Sequence, residues 1–201
     1  MKRASEVADD LVTVNEFHRL VPDGQKADLI DGVIYMASPD SRRSNSLTKF
    51  LSSLMHMYYE AKDLGGEVFV TRFAFRLTRY RAPEPEVAYV RPRRVHLIRE
   101  REMKGAPDIA VEVVSRDSRS RDYGEKFQLY QKAGVEEYWI IDPLQNRAEF
   151  HRLRNKTYEL VPLEANRIFR SQVLKGFWLD VNWLLAKPLP NAYQCLQEIL
   201  R

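Results

Sequence analysis

The stretch PDIAVEVVSRDSRSRDYGEKFQLYQKAGVEEYWIIDP, residues 107–143, contains a strand pattern, a helix pattern and a second strand pattern in succession. Residues 109–114 are an apolar run, typical of a central strand covered on both faces. Residues 119–133 place aromatic side chains at helical spacing, and Gly134 is a natural helix end. Residues 138–141 form the second apolar run. Two strands joined by a helix of this length predict a right-handed, parallel βαβ unit.

A single carboxylate, Glu112, interrupts the first apolar run, and burying an unpaired carboxylate is costly. Lys126 lies on the predicted helix beside its apolar stripe, four residues after Asp122. Glu86 precedes another short strand pattern, residues 87–90. Two carboxylates on neighbouring strands suit a hard cation such as Mg²⁺, and a nearby lysine can orient or deprotonate the attacking water. Spacing alone leaves a structural alternative open, in which Glu112 pairs with an arginine and Lys126 with Asp122 at the surface.

The remaining pattern predicts an α/β or α+β domain with a mixed central sheet flanked by helices. Thr13 and Glu16 fit a capping box at the start of a first helix. The other expected elements are a hairpin over 28–36 around Asp31-Gly32, a helix over 45–62, strands over 67–77 and 87–90, a charged connection over 91–106, a hairpin from 148–153 and 158–161, and a strand with a short helix over 173–185.

The length and composition of the chain limit the classes of protein to which it can belong. The chain has 201 residues, of which 44% are hydrophobic and 30% charged, so we expect one globular domain over 1–201. Its one cysteine, Cys195, excludes an intramolecular disulfide. No signal-peptide pattern is evident at the start, and no apolar stretch reaches the ~20 residues of a membrane helix. We therefore expect a cytoplasmic protein without membrane contact.

The charge pattern permits an anionic partner. The formal net charge is +4, and arginines crowd residues 72–101. This distribution fits either a solvated surface or a footprint for a phosphate backbone. Ser115, Arg119 and Arg121 lie between the strand of Glu112 and the next helix, where a helix start favours phosphate. An exposed loop explains these three residues equally well.

Four motifs together resemble the Uma2 family, which is also described as a domain of unknown function, DUF820, or as restriction endonuclease-like. They are ADLIDGVIYMASP at 27–39, PEPEVAYV at 83–90, APDIAVEVVS at 106–115 and RDYGEKFQLYQKAGVEEYWIIDP at 121–143. The resemblance covers about residues 13–185, which leaves 186–201 as a C-terminal extension.

This resemblance implies the PD-(D/E)xK nuclease fold, with a metal-dependent site that hydrolyses phosphodiester bonds. Glu86 falls on the aspartate of the family's Pro-Asp motif, and Glu112 falls on its (D/E) position. The usual lysine would stand two residues later, where this chain has Val114. The family's lysine role falls instead on Lys126, and Asp28 matches a further acidic position.

Three positions depart from the family pattern. Glu86 replaces aspartate and is one methylene longer, whereas Asp28 replaces glutamate and is one methylene shorter. Ser44 stands where family members often have histidine, so one group able to contact metal or phosphate is missing.

The leading hypothesis is a Mg²⁺- or Mn²⁺-dependent endonuclease acting on DNA. Glu86, Glu112 and Asp28 would be metal ligands, and Lys126 would position water or stabilise phosphate charge. The alternative is a catalytically impaired protein of this fold that serves as a nucleic-acid-binding or oligomeric interaction module. A homodimer is a further expectation, which rests on the apolar residues Trp183, Leu184 and Leu185 being exposed.

Overall fold

The computed structural model describes residues 11–201, and it has five α-helices and twelve strands in that range. The helices are α1 (Val14–Leu20), α2 (Arg42–Ala61), α3 (Lys126–Ala133), α4 (Val181–Leu185) and α5 (Ala192–Leu200). The strands are β1 (Ala27–Ile30), β2 (Val33–Met36), β3 (Glu67–Val70), β4 (Ala74–Arg76), β5 (Val87–Val90), β6 (Glu102–Lys104), β7 (Ile109–Val113), β8 (Glu137–Asp142), β9 (Arg147–Arg154), β10 (Thr157–Leu160), β11 (Ile168–Arg170) and β12 (Trp178–Asp180).

A six-stranded mixed sheet lies at the centre, with the strand order β10-β9-β8-β7-β5-β3. Strands β7 and β8 are parallel, and every other neighbouring pair in this sheet is antiparallel. The helix between β7 and β8 supplies the crossover that a parallel pair requires. The predicted mixed sheet flanked by helices is confirmed, and so is the parallel pair at its centre.

The two faces of the sheet have different coverings. Ile109, Val111 and Val113 of β7 belong to the largest apolar cluster, which also contains buried residues of α2, α4 and α5. Ala110 and Val114 belong to a second cluster with side chains of α3 and β8. Successive side chains of a strand alternate between faces, so Glu112 shares the α3 face with Ala110 and Val114.

Local sequence signals set several element boundaries. Thr13 and Glu16 form the reciprocal capping box of α1. The β1–β2 hairpin turns at Asp31 and Gly32, which have φ angles of 50° and 79° and fit the Asp-Gly turn expected there. Helix α2 begins at Arg42, three residues before its apolar stripe suggested, because Ser41 accepts a hydrogen bond from the backbone of Ser44 and caps it.

The single strand expected over residues 67–77 is wrong. Thr71 and Arg72 adopt positive φ angles of 30° and 57°, which break the chain into β3 and β4. Only β3 joins the central sheet, whereas β4 pairs in parallel with β6, a short strand inside the connection expected over 91–106. The apolar pattern continues through the break, so periodicity alone does not reveal it.

The C-terminal part of the chain is integrated into the main core. The strand expected within 173–185 is β12, which pairs with β11 before α4. Cys195, Leu196 and Ile199 of α5 lie in the largest apolar cluster, so segment 186–201 contributes to the core. Leu184 is only 1% exposed, so the exposure expected of it is wrong. Within residues 11–201, no helix is long and apolar enough to cross a membrane.

Candidate active site

Three carboxylates from separate strands converge on the α3 face of the structure. Glu112 lies on β7, Glu86 directly precedes β5, and Asp28 lies on β1 of the neighbouring hairpin. Val87 pairs with Val111 across β5 and β7, so the next position of that register brings Glu86 beside Glu112. All three residues are at most 8% exposed.

Lys126 connects two of these carboxylates. Its Nζ lies 2.8 Å from Asp28 Oδ2 and 3.0 Å from Glu112 Oε2. The lysine side chain is 2% exposed, and Asp122 Oδ1 lies 3.8 Å away, one helical turn before it. Val114 is fully buried in the apolar cluster against α3, so the lysine of this site comes from the helix and not from the strand.

The fold fixes one oxygen of each carboxylate. Glu112 Oε1 accepts a hydrogen bond from the Tyr130 hydroxyl at 2.8 Å. Glu86 Oε2 accepts one from the backbone of Val113 at 2.9 Å, and Asp28 Oδ1 accepts one from the backbone of Glu84 at 2.8 Å. In every case the second oxygen faces a lysine ammonium group.

The ammonium that faces Glu86 belongs to Lys26, a residue that the sequence reasoning missed. Lys26 Nζ donates a hydrogen bond to Glu86 Oε1. A signal for this residue exists in the sequence: Lys26 precedes Asp28 by two positions, and alternate residues of extended chain share a face. The cluster therefore contains two lysines instead of one.

One stripe of the helix supports the Lys126 side of the site. Asp122, Lys126 and Tyr130 follow each other at intervals of four residues, and all three are buried. A wide π-type turn over Arg121–Glu125 leads into α3, and Ser118 donates a 2.6 Å hydrogen bond to Asp122 Oδ2. Asp122 Oδ1 is buried without a hydrogen-bond partner among the residues that the structure describes. Wide turns of this type are frequent at functional sites.

Burial and nearby charges shift the pKa values of Glu112 and Glu86 in opposite directions. Burial raises the pKa of Glu112 well above its usual value, since Lys126 offsets only part of the cost and Glu86 adds repulsion. Burial would also raise the pKa of Glu86, but Lys26 and a hydrogen bond with Glu112 outweigh it and lower the value to about 2. Negative charge therefore concentrates on Glu86.

Two further buried acids lie at the margins of the cluster. Burial raises the pKa of Glu84 to about 7, with a contribution from the charge of Asp28. Burial raises the pKa of Asp122 to about 6, although Lys126 opposes this shift. Five carboxyl groups thus lie beside two ammonium groups, and the raised pKa values reduce the negative charge on three of the five.

A cavity of about 640 Å³ opens onto these groups. Lys26, Asp28, Glu86 and Lys126 line it, whereas Glu112 lies behind this lining. The surrounding walls come from three segments, which are residues 37–44, residues 113–118 with Arg121, and residues 143–144 with Lys187. The cavity is therefore acidic at its carboxylates and carries basic side chains around them.

The three residues expected to bind phosphate have different positions. Ser115 and Arg121 line the cavity. The Arg121 guanidinium lies 5.0 Å from the centre of the Tyr35 ring, and its Nε is buried without a hydrogen-bond partner in the described part of the chain. Arg119 instead pairs with Asp142 at 2.8 Å and is not among the described residues that line the cavity.

The first turn of α2 also faces the cavity. Ser41 and Ser44 line it, their hydroxyls are 2.8 Å apart, and Ser44 is 4% exposed. This is the position at which the family resemblance suggested a missing histidine. Arg43 spans from here to the carbonyl groups of Leu184 and Ala186, at 2.6 and 2.8 Å. That contact anchors the wall of the cavity to α4.

The donor set fits a hard divalent cation. Asp28 Oδ2, Glu86 Oε1 and Glu112 Oε2 are the carboxylate oxygens that face ammonium groups, and Mg²⁺ prefers carboxylate oxygens with water and phosphate. Within residues 11–201, however, no group of three acidic, histidine or cysteine side chains already has the arrangement of a metal cluster. The positive charges that contact these three oxygens are the ammonium groups of Lys26 and Lys126.

The fold and this cavity define the class: a mixed α+β protein with buried carboxyl and ammonium groups at one cavity. More particularly, the chain belongs to the Uma2 family, which is described as "Putative restriction endonuclease" and whose profile matches residues 14–182. The resemblance seen in the four motifs is confirmed. At a general level, family membership supports a nuclease.

A solved structure shares the fold. The chain is similar to the crystal structure of "a putative nuclease belonging to DUF820" from Anabaena variabilis, with a TM-score of 0.70 and 16% sequence identity. The match covers 87% of this chain and 97% of that one. No curated protein matches this chain.

Proposed function

We propose that this chain is a Mg²⁺- or Mn²⁺-dependent endonuclease that hydrolyses phosphodiester bonds in DNA. The observation that carries the proposal is the convergence of Asp28, Glu86 and Glu112 on lysine ammonium groups at a single cavity. Family membership supports the reaction class. The carboxyl oxygens of the cluster are the type of donor that supports such a cation.

The metal ligands in this proposal are Asp28, Glu86 and Glu112. Each has one oxygen held by a fixed donor, so the second oxygen is oriented before any cation arrives. When bound, the cation would polarise the phosphate and lower the pKa of a bound water. Such preorganisation favours catalysis because little rearrangement is needed during the reaction.

Lys126 has the role of positioning the attacking water or offsetting negative charge on the phosphate. Its ammonium is part of the cavity lining, and Asp28 and Glu112 hold it from two sides. Burial would lower the pKa of Lys126, but the carboxylates around it raise the value well above normal. Lys126 therefore stays protonated in this arrangement, which favours the charge-stabilising role over that of a base.

The walls of the cavity suit a polyanion. Arg116 and Arg121 line the cavity together with Asp40, Asp117 and the start of α2, and the N–H groups of a helix start favour phosphate. A phosphate backbone has the matching charge, and DNA is the expected substrate. Arg119 pairs with Asp142, and its role in binding nucleic acid stays a prediction.

Plasmid cleavage with Mn²⁺ tests the proposal. The wild-type protein is expected to nick supercoiled DNA, whereas Glu112→Gln and Lys126→Ala are expected to lose at least about 100-fold in rate. Lys132→Ala is the matched control, since Lys132 lies on the same helix and is exposed. Equal cleavage by all four proteins would refute the assigned residues, and no cleavage by the wild type would refute the nuclease.

The second candidate is a catalytically impaired protein of the same fold that binds nucleic acid. The contact between Lys26 and Glu86 favours it, because an ammonium group satisfies an oxygen that would otherwise ligate a cation. This candidate predicts DNA binding in EDTA, measured by fluorescence anisotropy, with no cleavage at any Mn²⁺ concentration. Cleavage that depends on Glu112 would eliminate it. The homodimer stays a prediction.

A further inference from the structure

Lys26 makes a charged contact in the site that neither the motifs nor the proposed catalytic roles explain. Its ammonium pairs with Glu86 Oε1, and the other oxygen of Glu86 is held by the backbone of Val113 at 2.9 Å. Both oxygens of Glu86 therefore already have a partner. A carboxylate oxygen can accept more than one partner, but an ammonium group and a divalent cation at the same oxygen repel each other. A cation that binds Glu86 Oε1 therefore competes with Lys26.

Hydrogen bonds fix the backbone around Lys26. The lysine side chain therefore starts from a defined position near Glu86 even when no ligand is bound. The Lys26 carbonyl accepts a 3.0 Å hydrogen bond from the backbone of Ala37, across the β1–β2 hairpin. The backbone of Ala27 donates a 3.1 Å hydrogen bond to Glu84 Oε2. Both contacts hold the chain at the point where the lysine side chain begins.

The two lysines differ in how easily they can move. The Lys126 side chain is 2% exposed and lies between Asp28 and Glu112. The Lys26 side chain is 15% exposed, pairs with Glu86 and lines the open cavity. A lysine stem has four flexible carbons, so the Lys26 ammonium can turn into the cavity while its backbone stays in place.

We propose that Lys26 is a resident cation that competes with the divalent metal for Glu86, so that it sets the metal affinity of the site. The inference rests on the proposed metal-dependent function. In the metal-free protein, Lys26 neutralises Glu86 and preserves the geometry of the cluster. When a divalent cation binds, Lys26 turns away from Glu86 into the cavity. No covalent bond is made or broken in this exchange.

Metal binding by the full chain tests the inference without reference to cleavage. Mn²⁺ is titrated calorimetrically into the wild type, Lys26→Gln, Lys26→Arg and Lys187→Gln. Lys26→Gln removes the competing charge and keeps a polar group beside Glu86, so its affinity for Mn²⁺ should rise about tenfold or more. In Lys26→Arg, the guanidinium can form a bidentate pair with the carboxylate of Glu86. The affinity of this variant for Mn²⁺ should therefore fall below that of the wild type.

Lys187→Gln is the matched control for general electrostatics. It removes one positive charge from the wall of the same cavity without touching the contact between Lys26 and Glu86. Its affinity for Mn²⁺ should change by less than about twofold, because exposed charges are screened. An increase equal to that of Lys26→Gln would overturn the inference.

Thermal unfolding provides a second readout. Without metal, Lys26→Gln should unfold at a lower temperature than the wild type, because Glu86 loses its counter-charge. Added Mn²⁺ should raise the Tm of Lys26→Gln more than that of the wild type. If Lys26→Gln does not fold, Lys26→Arg keeps the charge and still tests the expected weakening.

The outcomes separate this inference from the proposed function. If Mn²⁺ binds the wild type and both Lys26 variants with equal affinity, and Glu112→Gln abolishes binding, the metal site stands and the role of Lys26 is refuted. If Mn²⁺ binds none of the proteins, both the metal site and the role of Lys26 are refuted.

Discussion

The candidate active site has two corners, each built from one lysine and the carboxylates that it contacts, and they differ in burial. At the first corner, Lys126 is 2% exposed and holds both Glu112 and Asp28. At the second corner, Lys26 is 15% exposed and holds Glu86 alone. Residues of both corners line the cavity, but the first corner is the more enclosed of the two.

The difference in burial indicates that the two lysine–carboxylate corners have different roles. A buried pair with several partners is costly to break, because the remaining charge has no water to solvate it. A more exposed ion pair can open, since water and ligands can replace the lost contact. We therefore expect the Lys126 corner to preserve the geometry of the site and the Lys26 corner to exchange with ligands.

The largest effect is expected at the enclosed corner. Lys126→Met leaves Glu112 and Asp28 without their ammonium partner, and removal of one partner from a buried ion pair costs about 3–5 kcal/mol of unfolding free energy. Urea denaturation at pH 7 measures this loss. The same experiment on Lys26→Met should give a smaller loss. Equal losses would mean that the two corners do not differ.

The next effect concerns Glu84, which lies behind Asp28 and has its pKa raised from 4.5 to about 7 by burial. A raised carboxyl pKa stabilises the fold below the unfolded-state value of 4.5, and this stabilisation is lost as the pH rises through about 7. The loss is on the order of 3 kcal/mol.

Glu84→Gln should therefore be more stable than the wild type at pH 8 and should differ little from it at pH 4.5. The introduced amide carries no charge at either pH, and its carbonyl can still accept the hydrogen bond from the backbone of Ala27. Urea denaturation at the two pH values checks this prediction. A difference of the same size at both would show that Glu84 does not titrate in this range.

A smaller effect is expected from Tyr130, whose hydroxyl donates the 2.8 Å hydrogen bond to Glu112 Oε1. Tyr130→Phe keeps the ring and leaves that oxygen without its donor, which costs about 1–3 kcal/mol. Tyr158→Phe is the matched control, because the Tyr158 hydroxyl bonds the backbone of Val135 and not the site. Both variants should lose stability, but only Tyr130→Phe should also slow DNA cleavage.

The smallest effect is expected at the cavity wall. Arg121→Ala should weaken DNA binding several-fold and reduce the salt dependence of binding by the equivalent of about one phosphate contact. Arg154→Ala, an exposed arginine of β9, is the control. Fluorescence anisotropy at several salt concentrations measures both. An unchanged salt dependence for Arg121→Ala would remove that residue from the DNA-contacting surface.

Several residues of the site were predictable because their types are unusual for the local structure in which they stand. Glu112 is a charge inside an apolar strand, and Glu86 follows a proline at the start of another, so both are conspicuous in the sequence. Lys126 was singled out by its place on the predicted helix and again by the family resemblance, and its Nζ lies 3.0 Å from Glu112 Oε2. Lys26 was missed because it stands at the end of a polar turn, where a lysine is usually a solvated side chain.

By itself, the sequence determined the βαβ unit at 107–143, the Asp-Gly hairpin and the capping box of α1. These features depend on residues close together in the chain, whose propensities and periodicity are read directly. Its motifs also determined the family.

Only the tertiary structure decided the pairing of charges and the break between β3 and β4. Lys26 and Glu86 are 60 residues apart, and Asp28 and Lys126 come from a hairpin and a distant helix. Their contacts depend on how separate elements pack, which no local pattern specifies. The same is true of Arg119, since its partner Asp142 lies at the end of another strand. Long-range packing therefore determined which charges are paired inside the protein and which face the cavity.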